Sequence, residues 1–306
     1  MQSLTNTQKA IIGLIICNII WGAASPIFKW ALLDIQPFTL AFLRFFLAAL
    51  ILFPFVIHTL HIERRDFPKL IAHSVFGITI NIAFFFLGLR YTQSINAPII
   101  ASIAPIIIIL GSWLFLHEKP RLKVVIGTTL ALLGIGAIVL QPLIEHGLSS
   151  SLLGNAFFVI ATLGTVGHAL LLKKFIEKYR PLSITFWSFA IGAVSFLPLF
   201  LLEIEQYGFV SQLTTPGIVG IVFGALFSSA IAYSLFNWGL KMLPASQVGV
   251  FLYIDPVASI LVAAPLLGEK PTIAYAVGAV FVFSGIGIAE GRLHYHPFHR
   301  LMRKNE

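Results

Sequence analysis

Asp255 is the one acidic residue that falls deep within an apolar stretch of this sequence, and Pro256 follows it directly. A charged carboxylate is costly in hydrocarbon, so acids in such places commonly carry protons or pair with a partner. Asp255 is therefore a candidate for proton coupling. The plainer reading is a neutral acid that hydrogen-bonds into the helix break made by the proline. Arg44 is the one basic residue near the interior of an apolar stretch. Its guanidinium stays charged and must face protein or water. The sequence favours a salt bridge, or snorkelling to an outer surface about seven residues away. Capture of a substrate carboxylate or phosphate is the functional alternative.

Uncharged polar and aromatic residues accompany these two. Trp21 and Gly22 precede Ser25 and Pro26, and Asn18 stands one turn earlier. Proline removes a helix hydrogen bond and glycine allows close approach, so a bend is predicted at Pro26. Trp21 then becomes a candidate cavity wall and Asn18 a polar contact. Tyr233 and Asn237 lie four residues apart, on one helix face, just after Ser228 and Ser229. Asn81, His168 and Tyr253 complete the candidate substrate contacts. Polar groups of this kind also serve as glue between membrane helices. No catalytic group emerges, because His-Glu-x-x-His, paired Asp-rich and Gly-x-Ser-x-Gly patterns are all missing. No cofactor or metal ligand set is expected. His294, His296 and His299 could hold a metal, but Pro297 interrupts them and a basic tail at the membrane surface is the preferred reading.

The elements that must position these residues follow from composition. Of 306 residues, 58% are hydrophobic and 10% charged, too little charge to cover a globule in water. The apolar stretches run to roughly 20 residues, the length that crosses about 30 Å of hydrocarbon. They are too long and uniform for barrel strands. An all-α integral membrane protein of ten transmembrane helices is predicted, with spans at 10–28, 38–57, 69–89, 95–116, 122–141, 152–172, 182–202, 216–239, 243–266 and 272–290. With a cytoplasmic N-terminus, 16 of the 20 Lys and Arg fall in inside segments, so both termini are expected in the cytoplasm. The net charge of +8 then meets anionic lipid headgroups, and no nucleic-acid partner is expected. The N-terminal segment shows no small-residue cleavage site and is read as a retained first helix. Cys17 has no cysteine with which to form a disulfide.

The sequence also repeats itself. At an offset of 151, Gly88 matches Gly239, Pro105 matches Pro256, and Glu118-Lys119-Pro120 matches Glu269-Lys270-Pro271. Gly127, Gly134 and Gly136 match Gly278, Gly285 and Gly287 in the same register. Earlier in each half an offset of 144 pairs Pro37 with Pro181 and Pro54 with Pro198. Five spans per half is an odd number, so the halves must be inverted relative to each other. Inverted repeats are a common plan for secondary transporters, with the substrate near the midplane.

These features together resemble the EamA-type transporters of the drug/metabolite transporter superfamily. The resemblance rests on Asn18, Trp21, Gly22, Ser25 and Pro26, on Phe42 and Arg44, and on the mid-helix prolines with their Glu-Lys-Pro turns. It implies two five-helix repeats at 8–142 and 152–290, followed by a basic cytoplasmic tail at 291–306. It further implies a secondary carrier of small metabolites, often an exporter of amino acids or related compounds, in the cytoplasmic (inner) membrane. The expected partners are a small-molecule substrate, the lipid bilayer and a proton as coupling ion, in a monomer or homodimer. The cavity is expected among spans one, three, four, six, eight and nine, with Pro26, Pro105 and Pro256 as helix breaks. A multispan enzyme acting on lipid or isoprenoid substrates, or a channel, is the alternative.

Overall fold

The structure, a computed structural model, describes residues 5–104, 107, 122–146, 149–208, 213–243 and 248–290. Pro105, the Glu118-Lys119-Pro120 turn and the tail from 291 lie outside the described residues. The described residues form helices joined by short turns, with no strand among them. They form α1 (Asn6–Ala31), α2 (Pro37–Val56), α3 (Phe67–Ser74), α4 (Asn81–Tyr91), α5 (Asn96–Ala101) and α6 (Leu122–His146). The second half follows as α7 (Ser150–Lys178), α8 (Pro181–Tyr207), α9 (Thr215–Val222), α10 (Ala232–Met242), α11 (Ile254–Leu267) and α12 (Ile273–Glu290).

Among the described residues 7 helices are long and apolar enough to cross a membrane, with shorter apolar helices at Phe251–Leu267 and Ile273–Ile288. Large apolar side chains face outward along them, including Phe55, Val194 and Leu261, each 70% exposed. Such a surface suits lipid and would aggregate in water.

Two spans carry an irregularity that the sequence did not signal. The helix from Phe67 to Tyr91 widens into a π-helical segment at Val75–Ile80, between α3 and α4. The helix from Thr215 to Met242 does the same at Phe223–Ile231, between α9 and α10. π-Segments are uncommon and concentrate at functional sites. Each half of the chain places one in its third span.

Acidic side chains fix where several helices begin. The first N–H groups of a helix lack intrahelical partners and carry the positive end of its dipole. Glu203 on α8 accepts from the N–H groups of Phe38 and Thr39 at 3.1 and 2.6 Å, capping α2. Asp34 accepts from the Gly217 N–H at 3.0 Å and from the Thr214 hydroxyl, capping α9. Glu269 accepts from the N–H groups of Ser94 and Ile95 at 2.9 and 3.2 Å, at the entrance to α5. Glu269 is 8% exposed and also pairs with Lys29, so it does more than shape a turn.

The helices pair in a pattern that maps onto itself when the halves are exchanged. α1 packs on α11 and on α9–α10, while α7 packs on α5 and on α3–α4. α2 runs antiparallel to α8, with Phe45 against Phe189 at 5.4 Å and Phe42 against Phe200 at 4.3 Å between ring centroids. Phe45 and Phe189 are themselves related by the 144-residue offset. α6 and α12 also run antiparallel. A Cβ on Gly134 would lie 2.5 Å from the Gly278 carbonyl oxygen, and one on Gly285 would collide with the Gly127 carbonyl. These two contacts exchange under the 151-residue offset. By contrast, Gly136 and Gly287 have nothing within 4 Å of a Cβ, so they take no part in this close crossing.

Candidate functional site

Trp21, on α1, is half-buried and its indole Nε1 donates to the Ser228 carbonyl oxygen at 3.1 Å. That acceptor belongs to the π-helical segment before α10. The indole ring meets Tyr233 edge-on at 5.1 Å and Phe236 at 5.0 Å, and Tyr233 in turn meets Phe189 of α8 at 5.3 Å. Trp21, Tyr233, Ser228 and Ser229 therefore share one site.

Arg44 of α2 joins them. It is 2% exposed, and its Nε donates to the Ser229 hydroxyl at 2.7 Å. Its Nη2 reaches the Ser228 hydroxyl at 3.1 Å and lies 3.5 Å from the Ser228 carbonyl oxygen. The guanidinium carbon sits 4.8 Å from the ring centroids of both Phe28 and Phe45. Among the described residues no carboxylate lies within ion-pair distance of it. The expected salt bridge and the expected snorkelling are both replaced by two serine hydroxyls and two aromatic faces. The physical reason is the π-segment, which aims Ser228 and Ser229 at α2, while Gly224 leaves room for the Arg44 stem.

Close packing brings α11 against the same region. Gly22 abuts the Asp255 backbone, where a Cβ would stand 2.5 Å from the carbonyl oxygen, and the Ser25 and Ser259 hydroxyls meet at 3.0 Å. Asp255 is half-buried as a residue, but its carboxyl Oδ1 is buried and has no hydrogen-bond partner among the described residues. The chain changes from a 3-10 turn at Gly249–Tyr253 to α11 immediately before it, and Pro256 occupies the first turn, where its missing N–H costs nothing. At Pro26 the helix is not interrupted: α1 continues through it from Asn6 to Ala31. The Gly22 carbonyl that the proline leaves without a backbone donor lies 3.5 Å from the Ser25 hydroxyl.

The other sequence candidates are placed elsewhere. Asn18 is fully buried and donates to the Leu14 carbonyl of its own helix at 2.7 Å, leaving Oδ1 without a partner. Asn81 donates to the Ala161 carbonyl and the Thr165 hydroxyl at 2.8 and 2.7 Å, joining α4 to α7. Asn237 donates to the Thr185 hydroxyl at 2.8 Å, joining α10 to α8. The Tyr253 ring meets Phe283 of α12 at 5.5 Å. His168 stacks on His73 with ring centroids 4.1 Å apart, and the His73 Nδ1 lies 3.3 Å from the His168 carbonyl oxygen. His73 was not among the candidates, since a single histidine near the start of a span gives no pairing signal. Gly77 makes the stack possible, because any Cβ there would overlap the His168 ring.

The fold and this interior cluster define a multi-pass α-helical membrane protein with a polar and aromatic site buried among its helices. The profile of the EamA-like transporter family matches residues 8–140 and again 152–289, and the chain belongs to that family and so to the drug/metabolite transporter superfamily. An uncharacterized transporter of Archaeoglobus fulgidus is 29% identical over 88% of this chain and 94% of its own length. The uncharacterized transporter YyaM of Bacillus subtilis is 30% identical over 90% of this chain and 91% of its own length. A crystal structure of a protein with 17% identity covers 94% of this chain and 99% of its own, with a TM-score of 0.64, and so shares the fold.

Proposed function

We propose that the protein is a secondary carrier that moves a small metabolite across the cytoplasmic membrane by alternating access, with export as the working direction. Family membership supports transport as such. The observation that carries the mechanism is the crossing of α6 and α12. Gly134 meets Gly278 and Gly127 meets Gly285, contacts that interchange when the halves are exchanged. A two-fold axis relating antiparallel helices stands perpendicular to them. With helices crossing the bilayer, that axis lies in the membrane plane, which is the symmetry of an inverted repeat. Ten spans with both termini in the cytoplasm satisfy this symmetry, and a site near it can be opened to either side in turn.

Within this reading Trp21 and Tyr233 contact the substrate, and Asp255 carries the coupling proton. The test is metabolite profiling of medium from cells producing the wild type or Trp21→Ala at matched membrane levels. A metabolite enriched by at least about tenfold with the wild type and not with the variant supports export through this site. Equal enrichment with both proteins would reject the Trp21 assignment. Enrichment with neither would reject export.

A further inference from the structure

We propose that Arg44 receives the carboxylate group of the transported solute, which makes the substrate an anion or a zwitterion. This deepens the carrier reading and rests on it, since a side chain 2% exposed is reached only when the helices around it part.

A buried guanidinium keeps its charge, and it needs compensation in a medium that screens poorly. Here every hydrogen bond it makes goes to an uncharged oxygen, on Ser228 or Ser229. No aspartate or glutamate among the described residues pairs with it. The bonds also have a direction. Nε and Nη2 form one edge of the guanidinium fork, and that edge is taken by the two hydroxyls. Nη1 makes no hydrogen bond to any described residue, and the second Nη2 contact, to the Ser228 carbonyl oxygen, is long at 3.5 Å, so a ligand that displaces it finds the end of the fork formed by Nη1 and Nη2. That end matches the two oxygens of a carboxylate.

The surroundings hold the fork in place. Phe28 and Phe45 each lie 4.8 Å from the guanidinium carbon, so the group is clamped and loses little freedom on binding. Trp21 shares the Ser228 carbonyl with Nη2, and Tyr233 packs edge-on against the Trp21 ring. An anionic headgroup with a small apolar body fits this pairing of a charge with aromatic walls.

The experiment is a thermal-shift series on the purified full chain in detergent. The probes are sodium butyrate and sodium phenylacetate, each compared with its amide. Both carboxylates are expected to raise Tm by about 2–4 °C at saturation while the amides do not. Arg44→Gln should abolish the shift while eluting as a single species on gel filtration. Arg44→Lys, which keeps the charge without the fork, should retain a reduced shift. Equal stabilisation by amides and acids in the wild type would overturn the proposal, whatever the variants do. So would an undiminished carboxylate shift in Arg44→Gln. Wild-type export of a purely neutral or cationic metabolite would also overturn it while leaving the carrier reading intact. Carboxylate binding without transport of any solute into liposomes would instead overturn the carrier reading.

Discussion

Lys29 Nζ stands 2.8 Å from Glu269 Oε1, and the same ammonium donates to the Thr92 carbonyl oxygen at 2.7 Å. Oε2 of Glu269 accepts from the Ser94 hydroxyl at 2.8 Å, so one acid ties the ends of α1 and α11 to the start of α5. Glu269 is buried, whereas Lys29 keeps 29% of its side chain exposed. The carboxylate is therefore the member whose loss leaves buried donors stranded. Glu269→Ala should cost about 3 kcal/mol, because it strands the Ser94 and Ile95 N–H groups together with the lysine. Glu269→Gln, which still accepts hydrogen bonds, should cost about half of that. Thermal unfolding of both variants in detergent checks the order, and equal losses would show that charge alone matters.

The glycines of α6 and α12 separate into two classes that the sequence motif cannot distinguish. Gly134→Ala places a Cβ 2.5 Å from a backbone oxygen that cannot swing away, and should cost about 1–3 kcal/mol. Gly136→Ala and Gly287→Ala meet nothing within 4 Å and should be neutral or stabilising by up to about 1 kcal/mol. Melting temperatures of the three variants settle the comparison. A destabilised Gly136→Ala would argue against this helix crossing.

Asp255→Asn removes the ionisable group and keeps the shape. If Asp255 carries the coupling proton, the variant should transport at a rate independent of an imposed pH gradient while the wild type responds to it. Uptake into liposomes with and without the gradient makes the measurement. Undiminished dependence in the variant would remove Asp255 from the mechanism.

At the opposite ends of the helices from Lys29 and Glu269, Lys178 bridges two acids. It donates to Asp66 Oδ2 at 2.6 Å and pairs with Glu63 at 2.6 Å, and the Tyr179 hydroxyl also donates to Asp66 at 2.7 Å. The hydrogen bond from Lys178, followed by that from Tyr179, holds the Asp66 carboxyl below its usual range. Lys178 likewise holds Glu63 down, and Asp66 and then Glu63 push the lysine up. A depressed carboxyl stabilises the fold above its unfolded value, about 3.9 for aspartate, and that stabilisation fades as pH falls through the lower folded value. The raised lysine stabilises fully below about 10.4 and fades only as pH climbs past its folded value. The cluster should thus contribute a constant amount between about pH 5 and 10. Asp66→Asn should flatten the acid limb of Tm against pH below about pH 5 and change little at alkaline pH. The exposed setting of the lysine keeps the effect small. An unchanged acid limb would show that the pair does not persist in solution.

The sequence by itself determined the membrane class, the all-helical character of the chain and the internal repeat. Lipid demands long uncharged helices, and 58% apolar residues in such runs leave no other solution. It also pointed to Trp21, Tyr233 and Arg44 as residues able to do chemistry, because polar and charged groups in hydrocarbon need a reason. What those groups touch was decided only by the tertiary structure. Asn18, Asn81 and Asn237 look alike in an apolar string, yet their amides are spent on a helix carbonyl or a neighbouring helix. The π-segments at Val75–Ile80 and Phe223–Ile231 carry no sequence signature, since they differ from α-helix by a shift in hydrogen-bond partner rather than by residue type. That shift turns Ser228 and Ser229 toward Arg44. The cation therefore finds hydroxyls where the sequence suggested an acid, because the rotation of one helix against another is set by packing and not by composition.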